Sequence, residues 1–200
     1  VHSSLPAMRA RMMKACSLLF SEAPLRIDAK MDSRMPLPPV VDLFCGVGGL
    51  THGFVLEGFP IAAGVDVDGS CQFAYERNNG ARFVHADVEF MSADDVANLY
   101  PEGDLRVLVG CAPCQPFSKN NNRNPNRSDW QLVRVFAELV RAVGPSVVSM
   151  ENVPELEKHE VFDEFVDILV GAGYHASWSL VECVDYGIPQ NRVRLVLFAS

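Results

Sequence analysis

The chemistry in this sequence gathers around a cysteine set between prolines. Gly110-Cys111-Ala112-Pro113-Cys114-Gln115-Pro116-Phe117-Ser118 follows an apolar run of strand type at 105–109. A thiol at a strand end, in a loop stiffened by proline, is posed for nucleophilic attack where nearby positive charge favours the thiolate. The same run holds a second pattern, because Cys111 and Cys114 form a C-x-x-C pair that fits a redox dithiol, whereas zinc would need two more ligands. Two further runs carry matching groups. Glu151-Asn152-Val153-Pro154 ends another apolar run, and Glu151 there is either an acid toward a ring nitrogen or the cap of the following helix. Gln190-Asn191-Arg192-Val193-Arg194 opens the last run; strand alternation sets Arg192 and Arg194 on one face, as charge for a carbonyl or thiolate or as salt-bridge partners.

A second constellation is glycine-rich. The run 40–44 leads into Cys45-Gly46-Val47-Gly48-Gly49 and then a helical pattern, an arrangement that brings backbone N–H groups and a helix N-terminus close to a ligand. Asp66 ends the next strand-like run, twenty residues after Gly46, where an acid can bind ribose hydroxyls, and Asp87 follows the third. Each carboxylate alone is equally well a loop or helix cap; together they outline a nucleoside site. The spacing does not separate a nicotinamide cofactor from S-adenosylmethionine. Between 119 and 134 a segment rich in asparagine carries Lys119, Arg123, Arg127 and Arg134 against Asp129, either a solvated loop or one that closes over a phosphate backbone.

These residues need a scaffold, and the pattern predicts one. Strands are expected at 40–44, 61–66, 82–86, 105–109, 146–151, 177–184 and 192–199, with helices at 48–57, 69–78, 93–99, 130–143 and 161–172. Alternation of the two types predicts an α/β fold, a Rossmann-like doubly wound, mostly parallel sheet. The final two strands have no helix between them and are expected to pair as an antiparallel hairpin across residues 185–190. Residues 1–39, crowded with methionine and ending in Met35-Pro-Leu-Pro-Pro39, read as a poorly ordered extension or linker, and 40–200 as one catalytic domain.

Composition sets the limits. With 48% hydrophobic and 21% charged residues, 200 residues fit one globular domain. A formal net charge of −8 excludes nonspecific nucleic-acid binding over the whole surface, so any DNA contact is local or shared with another chain. Cysteines 16, 45, 71, 111, 114 and 183 are expected as reduced thiols in a cytoplasmic protein, and no apolar run is long enough for a membrane span.

The chain resembles the cytosine-5 DNA methyltransferases. The resemblance rests on Asp42-Leu-Phe-Cys-Gly-Val-Gly-Gly-Leu50, Pro113-Cys-Gln-Pro-Phe-Ser118, Glu151-Asn-Val153 and Tyr186-Gly-Ile-Pro-Gln-Asn-Arg-Val-Arg194, in the family's order across 40–200. It implies that Phe44, Gly46, Gly48, Asp66, Asp87, Pro113 and Leu132 contact S-adenosylmethionine, with Asp87 near the adenine. It implies that Cys114 attacks C6 of a flipped-out cytosine in DNA, that Glu151 engages N3 and the amino group, that Arg194 holds O2, and that Arg192 supports the thiolate side. Two departures follow. The run Arg127-Ser-Asp-Trp-Gln-Leu132 differs from the family's loop, and the recognition domain and C-terminal helix of the family are not in this sequence, so a truncated or split enzyme with a second, recognition-bearing subunit is expected. A noncatalytic cofactor-binding subunit, a thiol oxidoreductase and a tRNA-methylating relative are the competing readings.

Overall fold

In the computed structural model, residues 37–103, 105–113 and 130–200 are described. Among them seven strands form one sheet in the order β3-β2-β1-β4-β5-β7-β6: β1 Val40–Leu43, β2 Ile61–Asp66, β3 Phe83–His85, β4 Val107–Gly110, β5 Val147–Asn152, β6 Ala176–Glu182 and β7 Val193–Ala199. The first five run parallel, and β7 enters antiparallel between β5 and β6. The helices are α1 Gly49–Leu56, α2 Gln72–Asn79, α3 Ala93–Ala97, α4 Gln131–Val143 and α5 Glu160–Gly171. They cover both faces, as the doubly wound reading requires.

Side-chain alternation divides the core. Val41, Leu43, Leu108, Val148, Met150, Leu195 and Leu197 point to one face, where they pack with Val96 of α3, Phe136 and Val140 of α4, and Phe162 and Phe165 of α5. On the other face Val40, Val107 and Val109 meet Leu50 and Phe54 of α1, and Tyr75 of α2 packs with Cys45 and Phe83. Helix α4 shows why the sequence folds this way: Leu132, Val133, Phe136, Ala137, Leu139 and Val140 form one buried stripe, and Gly144 stops the helix in the left-handed conformation.

The order of the last strands follows from the same logic. β7 buries Leu195, Leu197 and Ala199 and takes the interior place, whereas β6, with Ser177, Ser179 and an exposed Glu182, forms the edge. Expected boundaries move by a residue or two. The expected helix at 69–78 divides into a 3₁₀ turn Gly69–Cys71, capped by the Asp68 side chain, and α2. The expected strand at 177–184 stops at Glu182, since Cys183–Tyr186 turns as a 3₁₀ helix within the connection. Arg192 lies just before β7, outside the alternation expected to pair it with Arg194. Residues 1–36, most of the expected extension, lie outside the described residues, as does the basic segment up to Asp129.

Candidate active site

Parallel strands deliver their carboxyl ends to one edge of the sheet, and there the chemistry-bearing residues collect. β1 is followed by Phe44, the only described non-glycine residue with positive φ, at 62°. A bulky side chain in the left-handed region costs of order 1–3 kcal/mol and persists where surrounding structure dictates it. The chain then turns through Gly46 into α1. The Gly46 N–H donates to Oδ2 of Asp66 at 2.8 Å, and the Asp68 N–H donates to Oδ1 at 2.8 Å. Asp66 therefore ties the glycine turn to the end of β2 while retaining lone pairs on both oxygens.

The two glycines of this turn differ. A Cβ on Gly46 would meet nothing within 4 Å, so this backbone faces open space. A Cβ on Gly48 would lie 2.2 Å from Asn79 Nδ2 and 2.7 Å from the Tyr75 ring. Gly48 is buried, and what presses on it is α2, which gives it a packing role that spacing alone does not reveal.

Asp87, beyond β3, accepts from the Glu89 N–H at 3.1 Å and caps the turn Val88–Phe90. Beside it lies a groove of about 400 Å³ lined by Val84, Ala86, Asp87, Phe90, Met91, Asp95 and Leu99. Glu89 in turn accepts from Gln131 Nε2 at 2.6 Å, which fixes the start of α4 against this turn and seats Leu132 in the core at 5% exposure.

The second half of the edge is the acid. Glu151, near the end of β5, accepts from Arg194 Nε at 2.8 Å on Oε1 and from the Cys111 thiol at 2.6 Å on Oε2. Next to it, Asn152 Nδ2 donates to the carbonyl of Ala112 at 3.0 Å. Adjacent residues of β5 thus clasp adjacent residues beyond β4, immediately before Pro113 and Cys114. Pro113 is exposed; Cys114 lies outside the described residues. The helix-cap alternative for Glu151 fails, because neither the 3₁₀ turn Pro154–Lys158 nor α5 takes a side-chain cap. Arg194 also donates from Nη1 to the Val193 carbonyl at 2.7 Å. Arg192 is exposed, and it is Arg194 that reaches Glu151.

Sequence reasoning missed three parts of this edge. Cys111 was legible as half of a C-x-x-C pair and Asn152 as part of the Glu151-Asn-Val153 run, but neither side chain's contact was. The third is Asp42, 1% exposed beneath the glycine turn, which accepts from Thr51 Oγ1 at 2.6 Å; that hydroxyl also meets Tyr75 OH at 3.2 Å. Oδ1 of Asp42 is buried without a partner, and burial, with Asp66 nearby, pushes the carboxyl up to about 7. Among the described residues no group of His, Cys, Asp and Glu is arranged to hold a metal ion, and no helix is long and apolar enough to cross a membrane.

The chain is similar to known proteins in sequence and in fold. Residues 39–200 match the model of the C-5 cytosine-specific DNA methylase family. The chain is 50% identical over 164 residues to the type II methylase M.HgiDII of Herpetosiphon aurantiacus, covering 80% of this chain and 46% of that protein. To the type II methyltransferase M.XorII of Xanthomonas oryzae it is 33% identical over 174 residues, covering 83% of this chain and 41% of that one. The chain therefore spans just under half the length of these relatives. Among solved structures, the Dnmt2 methyltransferase of S. pombe superposes with a TM-score of 0.67 at 22% identity, over 81% of this chain and 49% of that one. The Entamoeba histolytica methyltransferase EhMeth gives 0.65 at 20% identity, over 82% and 53%. The fold is that of these methyltransferases, and the chain belongs to the family of C-5 cytosine-specific DNA methylases.

Proposed function

We propose that this chain carries the catalytic half of an S-adenosylmethionine-dependent DNA (cytosine-5) methyltransferase with Cys114 as nucleophile. The observation that carries the reading is the carboxyl group of Glu151, held between Arg194 and Cys111 on the edge where β4 leads into Pro113-Cys114. A cytosine needs that combination: a carboxyl group for N3 and the exocyclic amine, a guanidinium for O2, and a thiolate for C6.

Cys114 adds to C6, its electron pair breaking the C5=C6 double bond, while Glu151 meets N3 with a proton and so lowers the energy of the negative charge that attack creates. Once C5 carries the methyl group, its proton passes to water, the freed electron pair reforms the C5=C6 bond as Cys114 leaves as thiolate, and Glu151 takes back the proton from N3. S-adenosylmethionine, when bound, supplies the electrophilic methyl group that C5 takes up. The first half of the edge fits this cofactor. Gly46 leaves open space at its Cα, Asp66 keeps acceptor capacity for hydroxyl donors, and the groove lined by Asp87 offers an apolar wall to a flat base. Phe44, Pro113 and Leu132 complete the proposed cofactor contacts; Gly48 serves through its packing on α2. Arg192, exposed just before β7, is assigned to the thiolate side.

The substrate is DNA, with its cytosine extruded from the helix at a cost of roughly a few kcal/mol. Choice of the target sequence is assigned to protein outside these residues, on the same polypeptide or on a second subunit; the net charge of −8 supports that division. The test is covalent capture. With S-adenosylmethionine and DNA carrying 5-fluorocytosine, the full-length protein should form an adduct stable to denaturing electrophoresis, and Cys114→Ser should form none. An adduct that persists in Cys114→Ser removes this nucleophile. A folded protein that binds S-adenosylmethionine and never captures DNA favours the noncatalytic subunit instead.

A further inference from the structure

Resting on the reading above, we propose that Cys111 is a positioning residue for Glu151: its thiol fixes the plane of the carboxyl group and keeps Oε2 as the acceptor oxygen, leaving Oε1 to take the proton. Recognition of cytosine asks different things of the two oxygens, since one must present a proton to N3 and the other must accept from the amine. A symmetric carboxylate does not make that distinction, so its surroundings must.

The two partners of Glu151 are unequal in ways that make it. Arg194 holds Oε1 from a long side chain, 21% exposed, and it is the residue assigned to the O2 of the base. When it transfers to the base, Oε1 loses its cationic donor and becomes the oxygen open to a proton. Cys111 cannot follow. Its thiol hangs on a single torsion, its N–H donates to the Leu43 carbonyl at 3.4 Å, and the next carbonyl, that of Ala112, is clasped by Asn152 at 3.0 Å. The thiol stays on Oε2, from which it donates at 2.6 Å. A thiol is also a weak, uncharged donor, so what it contributes at Oε2 is orientation. The oxygen that keeps Cys111 retains a lone pair for the amine.

The experiment compares Cys111→Ala and Cys111→Ser in the full-length protein, by single-turnover methylation of unmethylated plasmid DNA across pH, with sites located by bisulfite sequencing. Cys111→Ala should lower the single-turnover rate about 10-fold, the usual worth of one hydrogen bond, shift the pH–rate profile, and leave affinity for S-adenosylmethionine unchanged. Cys111→Ser, whose hydroxyl donates in the same place, should stay within about 2- to 3-fold of wild type. A Cys111→Ala protein with wild-type rate and pH profile overturns the proposal, as does Cys111→Ser falling as low as Cys111→Ala, which would mean that the thiol itself is required. Failure of the wild-type protein to methylate C5 overturns the underlying function and this role together, whereas methylation by wild type with an indifferent Cys111→Ala overturns this role alone.

Discussion

A buried carboxyl without a counter-ion is the most consequential single residue outside the acid site. Asp42 is fully buried, and burial raises its carboxyl from 3.8 to about 7. The sign of the linkage follows from that direction. Below pH 3.8 both folded and unfolded chains carry the proton; above it the unfolded chain releases the proton first, so stability falls with rising pH until the folded group ionises near 7. Between pH 5 and pH 7 the loss is roughly 2–3 kcal/mol, or about 5–10 °C in Tm. Asp42→Asn cannot ionise, so its Tm relative to wild type should rise from pH 5 to pH 8; an offset that stays constant would mean Asp42 is charged throughout. The sequence placed Asp42 in a recognisable run but not its protonation, which depends on α1 and α2 closing over it. Arg194 contrasts with it, because alternation and motif located it and the structure adds only its partner. Arg194→Ala should lower methylation by about 10²-fold, as loss of a charged donor at a site of developing charge does, and Arg192→Ala by far less. Equal losses from the two would restore the pairing expected from alternation.

At the level of elements, the turn between β1 and α1 separates folding from binding. Gly46 and Gly48 both have positive φ, at 51° and 88°, yet a side chain has room only at Gly46. Gly48→Ala would drive a methyl into Asn79 and Tyr75, and should destabilise the chain on the order of 3 kcal/mol or more, visible as a lower melting temperature. Gly46→Ala should cost about 1 kcal/mol in stability but weaken S-adenosylmethionine in a calorimetric titration, because the added methyl enters the proposed cofactor space. If Gly46→Ala binds the cofactor normally, the turn is structural at both glycines. Sequence patterning identified the turn and the elements around it, since period and glycine content are local. It could not apportion roles, since Gly48 is constrained by residues about thirty positions away. The same limit explains the last two strands: the pattern gave an antiparallel hairpin, but which strand would join β5 was settled by the fully buried alternate residues of β7.

For the whole molecule the question is how an acidic chain would meet the DNA that the proposed function assigns to it. Nonspecific DNA affinity comes mainly from Lys and Arg displacing counterions, and this chain carries 17 of them against 25 Asp and Glu. Such a balance brings a catalytic edge to DNA only if the grip comes from a local basic surface or from protein beyond these residues. The two cases are separable by salt. Fluorescence anisotropy of a noncognate duplex with this chain alone should show no binding at 0.15 M salt, while S-adenosylmethionine still binds; the chain together with the protein that carries target recognition should bind, with affinity falling steeply as salt rises. Tight, salt-sensitive binding by the chain alone would instead place the grip on its own basic residues, among which Lys119, Arg123, Arg127 and Arg134 are the first to substitute.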